Sequence, residues 1–247
     1  MTPVRVFSRL WGRRLTPDLH KTLSAVSTAS IASALLKAGL RNIWIRGAAP
    51  MASNGARAVG EAFTLRFLPM REDLTGAALA KLGNSRAAIE AAEAGCIIVI
   101  DAMGVVDAGV AGDVLCARMV HRGVQGLVTD GAIRDLVGVE ESGLPVWAAG
   151  VSAPAPGNAL TFIDWGGPIA CGGVAIFPGD VIVADRDGAV VIPQAMVDEI
   201  AAEAEEIERF DAWVVRKVTE GEKLPGLYPP NAENLERYQR ETAAAKA

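Results

Sequence analysis

Two short segments of the sequence carry residues that could bind a small anion together with a cation. Gly112-Asp113 opens a predicted helix, and Arg134-Asp135 follows a predicted strand after twenty intervening residues. The two aspartates are carboxylates that a hard divalent cation could bring together, with water or substrate oxygens completing its coordination. The arginine offers a planar pair of donors that matches a carboxylate. A small anion with an adjacent oxygen, such as a 2-oxo acid, fits this set of groups.

The elements between these segments predict that the segments meet. Residues 96–100 form a continuous apolar run typical of a strand covered on both faces, residues 113–122 predict a short helix, and residues 124–128 predict a second strand. A strand–helix–strand unit makes its two strands parallel. The helix climbs about 15 Å, and the second strand returns about 18 Å. The end of the second strand therefore arrives beside the start of the helix, at the sheet edge where open α/β folds bind ligands.

The start of this helix adds backbone donors to the same niche. The free N–H groups of Val114 and Leu115 lie at a helix N-terminus, which is a ready anion site. Gly109 and Gly112 would let a ligand approach closely. A purely structural interpretation also stays open: the helix-start aspartate could be a plain capping or first-turn residue, and the arginine–aspartate pair could be an ordinary surface pair.

Length, composition and charge limit the remaining choices. The 247 residues are 51% hydrophobic and carry a net charge of −5, so we expect a substantial core and no nucleic-acid partner. We expect no membrane span, because no uncharged apolar run reaches the roughly 18 residues that it needs. Cys96, Cys116 and Cys171 are odd in number and widely spaced, which is typical of reduced thiols in a cytoplasmic protein. Two histidines are too few and too distant for a histidine-based zinc site.

The flanking segments predict further helices and several short strands. We divide the chain into a loose basic arm (1–16), one domain with a C-terminal helix (17–220) and a polar tail (221–247) that drapes over another surface. The predicted helices outside the central unit cover residues 17–39, 84–94 and 194–220, and the predicted strands cover residues 59–68, 146–149, 168–177, 181–184 and 189–192.

Residues 112–135, with Asp113 followed by twenty residues and then Arg134-Asp135, resemble the family of regulator of ribonuclease activity A (RraA). Residues 178–188 also resemble the later part of that family, and the likeness runs from about Ser24 to Leu227. The resemblance implies an α/β fold: a single-domain layered α/β/α sandwich with a central mixed β core of the swivelling β/β/α type, followed by a C-terminal helix and tail. It also implies a homotrimer or homohexamer with sites at subunit interfaces and a tail that packs on a neighbouring subunit.

The same family includes metal-dependent 4-hydroxy-4-methyl-2-oxoglutarate and 4-carboxy-4-hydroxy-2-oxoadipate aldolases. The resemblance therefore implies a lyase that cleaves a 4-hydroxy-2-oxo acid to pyruvate by a retro-aldol reaction, with oxaloacetate decarboxylation as a side activity. Two alternatives stay open: a dehydratase or hydratase acting on a sugar acid or 3-deoxy-2-oxo sugar acid, and a non-catalytic regulator that binds ribonuclease E. A Schiff-base aldolase is disfavoured, because no lysine occurs between Leu82 and Arg216.

Carried over by position, the resemblance assigns roles at the head-group end of the substrate. Asp135 would be the direct protein ligand of Mg²⁺ or Mn²⁺. Arg134 would hold the pyruvoyl end and steady the enolate. Gly112 and the amides of Val114 and Leu115 would bind the carboxylate of the 2-oxo acid.

The resemblance also implies roles for residues around this centre. Asp113 would position a water that relays the proton, and an acid from the C-terminal helix of a neighbouring subunit would be Asp211, with Glu208 as the fallback. The chain departs from the family at Gly138, where many members place an acid. Arg86 lies in a divergent segment where the distal end of the substrate would be read, so it could meet a second carboxylate or be an exposed residue at a helix start.

Overall fold

The computed structural model describes residues 15–52, 57–73 and 84–244, so the predicted basic arm lies outside them apart from its last two residues. The helices are α1 (Pro17–Ala25), α2 (Thr28–Lys37), α3 (Ser85–Ala91), α4 (Asp113–His121), α5 (Leu136–Ser142), α6 (Val197–Thr219) and α7 (Ala232–Ala244), with 3₁₀ turns at Pro156–Asn158 and Gln194–Met196. Over these residues, no helix combines the length and the apolar character needed to cross a bilayer.

The strands form one curled mixed sheet and two small pairs. They are β1 (Ala49–Ala52), β2 (Ala58–Pro69), β3 (Ile97–Asp101), β4 (Gly126–Thr129), β5 (Ala132–Ile133), β6 (Val146–Ala148), β7 (Gly150–Val151), β8 (Leu160–Trp165), β9 (Ile169–Cys171), β10 (Val174–Ile176), β11 (Val181–Asp185) and β12 (Gly188–Ile192). The large sheet has the order β1-β6-β4-β3-β2-β11-β12, with β8 also paired to β2. Strands β2, β3, β4 and β6 run parallel to their neighbours in that series, and the other pairs in the sheet are antiparallel.

The central strands are covered on both faces, which explains their continuous apolar sequence. Ile98 and Ile100 of β3 pack with residues of α3, α4 and α5 on one face. Ile97 and Val99 point to the other face, where β9, β10 and the curled β11–β12 pair cover them. Helices α1, α2 and α6 pack on the outer side of β11 and β12. The prediction of an α/β fold with helices outside a mixed β core is therefore confirmed.

The predicted strand–helix–strand unit is present as β3, α4 and β4. The two strands are parallel, with Ile97 opposite Gly126 and Ile100 opposite Thr129. The Gly112 backbone is extended and caps α4 without a side chain, and the helix ends beside Arg122. The sequence predicts this unit correctly because a strand that is covered on both faces has a continuous apolar sequence, which is easy to recognise.

The single helix predicted over residues 17–39 is wrong, because the segment forms two helices. Thr16 caps α1 as expected, its side chain accepting a hydrogen bond from the Leu19 amide. Val26 then takes an extended backbone, and the Ser27 hydroxyl caps α2 by accepting from the Ser30 amide. Ser27 is held in place by Glu208 of α6, whose Oε2 accepts from the Ser27 hydroxyl at 2.9 Å. The break is thus fixed by a contact distant in sequence.

Two further predictions are corrected at the end of the chain. The strand predicted over residues 168–177 is a hairpin, because Gly172 and Gly173 both adopt positive φ between β9 and β10. The polar tail contains α7, whose Tyr238 packs on Phe210 and Trp213 of α6 with ring centroids 5.2 and 5.6 Å apart. This contact lies within one chain, and packing of the tail on a neighbouring subunit stays a prediction.

Two buried carboxylates support the carboxyl ends of β3 and β4. Asp130 accepts hydrogen bonds from the amides of Ala102, Gly104 and Gly172 at 2.8, 3.1 and 3.0 Å. Asp101 accepts two more amides at 3.0 and 3.1 Å. Burial raises the pKa of Asp130, and the amide donors oppose that effect. Asp130 therefore ties the ends of two strands to the β9–β10 hairpin.

Candidate active site

Backbone pairing holds the two predicted segments side by side. The loop before α4 runs parallel to β5, with a bridge between Gly109 and Ala132. The Val110 amide donates to the Ala132 carbonyl at 2.8 Å, and the Arg134 amide donates to the Ala111 carbonyl at 2.9 Å. Hydrogen bonds therefore fix the start of α4 beside the residues that follow β5, as the crossover predicted.

These segments line one cavity of about 740 Å³. It contains every site residue predicted outside the C-terminal helix, namely Arg86, Gly112, Asp113, Val114, Leu115, Arg134 and Asp135. Its remaining walls come from the end of β2, the start of β8, the start of α3 and the 3₁₀ turn at Pro156–Asn158. The structure therefore brings the predicted residues together, while their chemical roles stay predictions.

Arg134 and Asp135 form a partly exposed ion pair on the wall of the cavity. Nε of Arg134 donates to Oδ2 of Asp135 at 2.9 Å. This hydrogen bond uses only Nε of the guanidinium. Among the described residues, neither terminal nitrogen of Arg134 has a hydrogen-bond partner. Those nitrogens are thus available to a carboxylate or an enolate oxygen.

The backbone of Asp135 is unusual for a residue with a side chain. Its φ of 55° and ψ of 44° place it in the left-handed region, immediately before α5. Aspartate tolerates this region better than most residues, but the conformation still costs free energy. The same turn presses the carboxylate against the start of α4, where a Cβ added to Gly112 would lie 2.6 Å from Oδ2 of Asp135.

Asp113 lies in the first turn of α4 and interacts with the helix start. Its Oδ1 accepts a hydrogen bond from the Val114 amide at 2.7 Å. Of the two amides predicted to bind substrate, that of Val114 is therefore already paired with a side chain. The Leu115 amide has no acceptor among the described residues, so it is the helix donor that stands ready for an anion.

Gly138 explains how α4 and α5 approach each other. A Cβ added to Gly138 would lie 2.7 Å from the Cβ of Asp113 and 3.1 Å from its Oδ2. Real Cβ atoms do not approach so closely, so a side chain at this position would push Asp113 away. The departure from the family noted at Gly138 thus has a packing reason in this chain.

The donor set suits a hard divalent cation more than zinc. Mg²⁺ commonly takes one or two protein carboxylates and keeps several waters, and Asp113 and Asp135 supply two carboxylates in one cavity. Over the described ranges, no group of three or more His, Cys, Asp or Glu side chains could hold a metal. Two carboxylates are the donor type that Mg²⁺ and Mn²⁺ prefer, and binding of either ion at this place stays a prediction.

Asp211 and Glu208 lie away from this cavity within the single chain. They line a second cavity of about 540 Å³ with Ser27 and Ser30. Glu208 accepts hydrogen bonds from both serines, and these outweigh its burial and lower its pKa. Burial raises the pKa of Asp211, and the nearby charge of Glu208 adds to that effect. Their predicted role depends on a neighbouring subunit and stays a prediction.

Arg86 lies in the first turn of α3 and lines the cavity. The Asn84 side chain caps this helix by accepting from the Ala87 amide at 2.9 Å. The Arg86 side chain is exposed and has no hydrogen bond or ion pair with the described residues. The exposed position of Arg86 agrees with its interpretation as a residue at a helix start. Because Arg86 also lines the cavity, its side chain can contact an anion there.

The fold and the site define an α/β protein with a cavity at the carboxyl edge of parallel strands. The RraA-like family model, described as Aldolase/RraA, matches residues 28–191. The chain therefore belongs to the RraA-like family.

Individual relatives show the same likeness. Protein DlpA from Legionella pneumophila is 27% identical over 208 residues, which cover 84% of this chain and 33% of that protein. A protein from Halalkalibacterium halodurans is named provisionally as a 4-hydroxy-4-methyl-2-oxoglutarate aldolase. It is 34% identical to this chain over 142 residues, which cover 56% of this chain and 67% of that protein. The chain thus spans a third of the first relative and two thirds of the second.

A solved structure agrees with these relatives in fold. Streptomyces coelicolor RraAS2, described as an unusual member of the RNase ES inhibitor RraA family, has a TM-score of 0.73 and 33% identity. The match covers 81% of this chain and 97% of RraAS2. The RraA-type fold predicted from the sequence is confirmed.

Proposed function

We propose that this protein is a divalent-metal-dependent lyase that cleaves a 4-hydroxy-2-oxo acid into pyruvate and a second carbonyl compound. The observation that carries the proposal is the meeting of Arg134, Asp135, Asp113 and the start of α4 in one cavity. Relatives named as aldolases support the same class of reaction. Decarboxylation of oxaloacetate, which also passes through a pyruvate enolate, would be a side activity.

Four residues of the cavity each have a role in this reaction that their positions support. The Leu115 amide at the start of α4 binds the substrate carboxylate. The terminal nitrogens of Arg134 hold the 2-oxo oxygen and stabilise the negative charge that develops there when the C3–C4 bond breaks. Asp135 would hold Mg²⁺ or Mn²⁺, which when bound supplies a Lewis acid for the 2-oxo group. Asp113 is also placed to receive, through water, the proton of the 4-hydroxyl.

The test is pyruvate release from hydroxylated 2-oxo acids in the presence of Mg²⁺, with and without a chelator. We expect chelation to abolish the activity and added Mg²⁺ or Mn²⁺ to restore it. Asp135→Ala should lower kcat at least about 100-fold, because loss of a direct ligand exceeds the effect of losing a supporting contact. Glu141→Ala removes an exposed carboxylate of α5 and serves as the matched control. Wild-type turnover in Asp135→Ala would remove Asp135 from the metal site.

The likeness to RraAS2 favours one alternative, a regulator that acts by binding a ribonuclease. A pulldown with ribonuclease E, run beside the pyruvate assay, separates the two functions. Stable ribonuclease binding with no turnover of any 2-oxo acid would favour the regulator. Water loss from a sugar acid without pyruvate release would instead favour the dehydratase.

A further inference from the structure

The cavity extends beyond the head-group residues to a wall of apolar side chains. This distal wall consists of Phe67, Met70, Leu160 and Phe162. The end of β2 pairs with the start of β8, so Phe67 lies opposite Phe162. Their rings meet edge to face with centroids 5.4 Å apart and planes at 82°, a favourable arrangement that fixes both rings. Phe67 and Leu160 are buried, so Met70 and Phe162 provide the accessible area of the distal wall. The distal wall is therefore a small apolar surface at the paired ends of β2 and β8.

Polar groups near the distal wall are few or already engaged. The Thr161 hydroxyl donates to Sδ of Met70 at 3.2 Å. The Asn84 side-chain oxygen accepts from the Ala87 amide as a helix cap. Among the described lining residues, the Ser85 hydroxyl and the Asn84 side-chain nitrogen have no partner. A polyhydroxylated chain placed here would therefore regain only a few of the hydrogen bonds that it loses to water, and such mismatches carry large penalties in specificity.

Charge is equally limited at this end of the cavity. The charged residues among the described cavity-lining set are Arg86, Asp113, Arg134 and Asp135. Arg134 is paired with Asp135 and is committed to the head group, so Arg86 is the remaining cation in that set. Arg86 is exposed at the rim, where water weakens its attraction for an anion. The described walls therefore do not compensate the additional carboxylates of a di- or tricarboxylic substrate.

We propose that the substrate carries an apolar substituent at C4, an aryl or branched-alkyl group that packs on the distal wall. This inference rests on the proposed lyase function. The 4-hydroxyl gives up its proton, C4 becomes a carbonyl, and the electron pair of the C3–C4 bond forms the pyruvate enolate, which takes a proton at C3. The second product is then an apolar aldehyde or ketone, and no oxidant or reductant is needed.

The first measurement tests the head-group chemistry alone. Exchange of the pyruvate methyl protons for deuterium in D₂O with Mg²⁺, followed by NMR, reports enolate formation without any second substrate. The second measurement runs the aldol direction with pyruvate and one acceptor at a time. Benzaldehyde and isobutyraldehyde are the apolar acceptors, glyoxylate is the anionic one, and glyceraldehyde is the hydroxylated one.

We expect kcat/KM for benzaldehyde to exceed that for glyoxylate and glyceraldehyde at least about 10-fold, the discrimination that a small apolar group can supply. Phe162→Ala should reduce the benzaldehyde-to-glyoxylate ratio by about 10-fold, and the ratio cancels any general loss of activity. Phe162→Leu, which keeps an apolar side chain, should reduce the ratio less. Leu68→Ala, at an exposed position of the same strand pair, is the control and should keep the ratio.

Two results overturn the inference in different ways. If pyruvate exchanges its protons but glyoxylate or glyceraldehyde is the preferred acceptor, the apolar substrate class is wrong and the lyase proposal stands. If neither exchange nor any aldol product is detected with Mg²⁺ or Mn²⁺, the lyase proposal fails and this inference fails with it.

Discussion

Gly138→Ala tests whether the close packing of α4 and α5 positions Asp113. The added Cβ would lie 2.7 Å from the Cβ of Asp113, about 0.7 Å short of ordinary contact. Both atoms are attached directly to helix backbone, so no side-chain rotation relieves the overlap. The two helices must separate, or the first turn of α4 must shift, and either movement displaces the Asp113 carboxylate.

The expected effect on stability is small, whereas the expected effect on turnover is large. Overpacking costs about 1–3 kcal/mol, and replacing a helical glycine with alanine returns up to about 1 kcal/mol. The net destabilisation is thus about 0–2 kcal/mol. A misplacement of about 1 Å in a catalytic group costs about 100-fold in rate, so a shift of about 0.7 Å should lower kcat roughly 10- to 50-fold.

The assay combines pyruvate release with thermal unfolding of the same samples. Gly167→Ala is the matched control, because a Cβ at Gly167 meets nothing within 4 Å. We expect the control to keep wild-type kcat and melting temperature. If Gly138→Ala also keeps wild-type kcat, the contact with Asp113 does not position a catalytic group and the reasoning is refuted.

Three further predictions follow from single contacts. Arg134→Lys should lower kcat/KM at least about 100-fold, because an ammonium cannot donate to Asp135 and also present two coplanar donors; near-normal kinetics would exclude this role. Gly112→Ala places a Cβ 2.6 Å from Oδ2 of Asp135, so Mn²⁺ affinity measured by EPR should fall at least about 10-fold, and unchanged affinity would place the metal elsewhere. The hydrogen bond from Trp213 and neighbouring cations hold the pKa of Glu241 at about 2, below its usual 4.5. A depressed pKa stabilises the folded state above pH 4.5 and less as pH falls toward 2. The protection factors of the α7 amides, from which the intrinsic pH dependence of exchange is divided out, should therefore fall over that range in the wild type but not in Glu241→Gln; the same fall in both proteins would contradict the assignment.

The sequence predicted the site geometry because local patterns and chain handedness are sufficient for a parallel crossover. The apolar run at residues 96–100, the helix after Gly112 and the second apolar run require no knowledge of distant residues. Once both strands are parallel, the start of α4 and the end of β4 must lie at the same edge. The observed bond from the Arg134 amide to the Ala111 carbonyl is the direct result.

The errors arose where contacts distant in sequence decide the structure. The break between α1 and α2 depends on Ser27 and Glu208, which are 181 residues apart. Helix α7 is polar along most of its length, so its sequence shows no apolar periodicity that would predict a helix. It is held by Tyr238, which packs against the aromatic residues of α6. Backbone conformation was equally hidden, since no sequence pattern indicates that Asp135 adopts a left-handed turn.

That backbone conformation weighs against the purely structural interpretation of Arg134 and Asp135. Holding a residue with a side chain in the left-handed region costs about 1 kcal/mol or more. A partly exposed ion pair returns only about 0–1 kcal/mol, and the pair joins neighbouring residues, so it closes no distant part of the fold. The turn also presses the Asp135 carboxylate toward the start of α4, in the same cavity as Asp113. The ion pair does not offset the cost of the turn, and for this reason the conformation of Asp135 supports a ligand site more strongly than a surface ion pair.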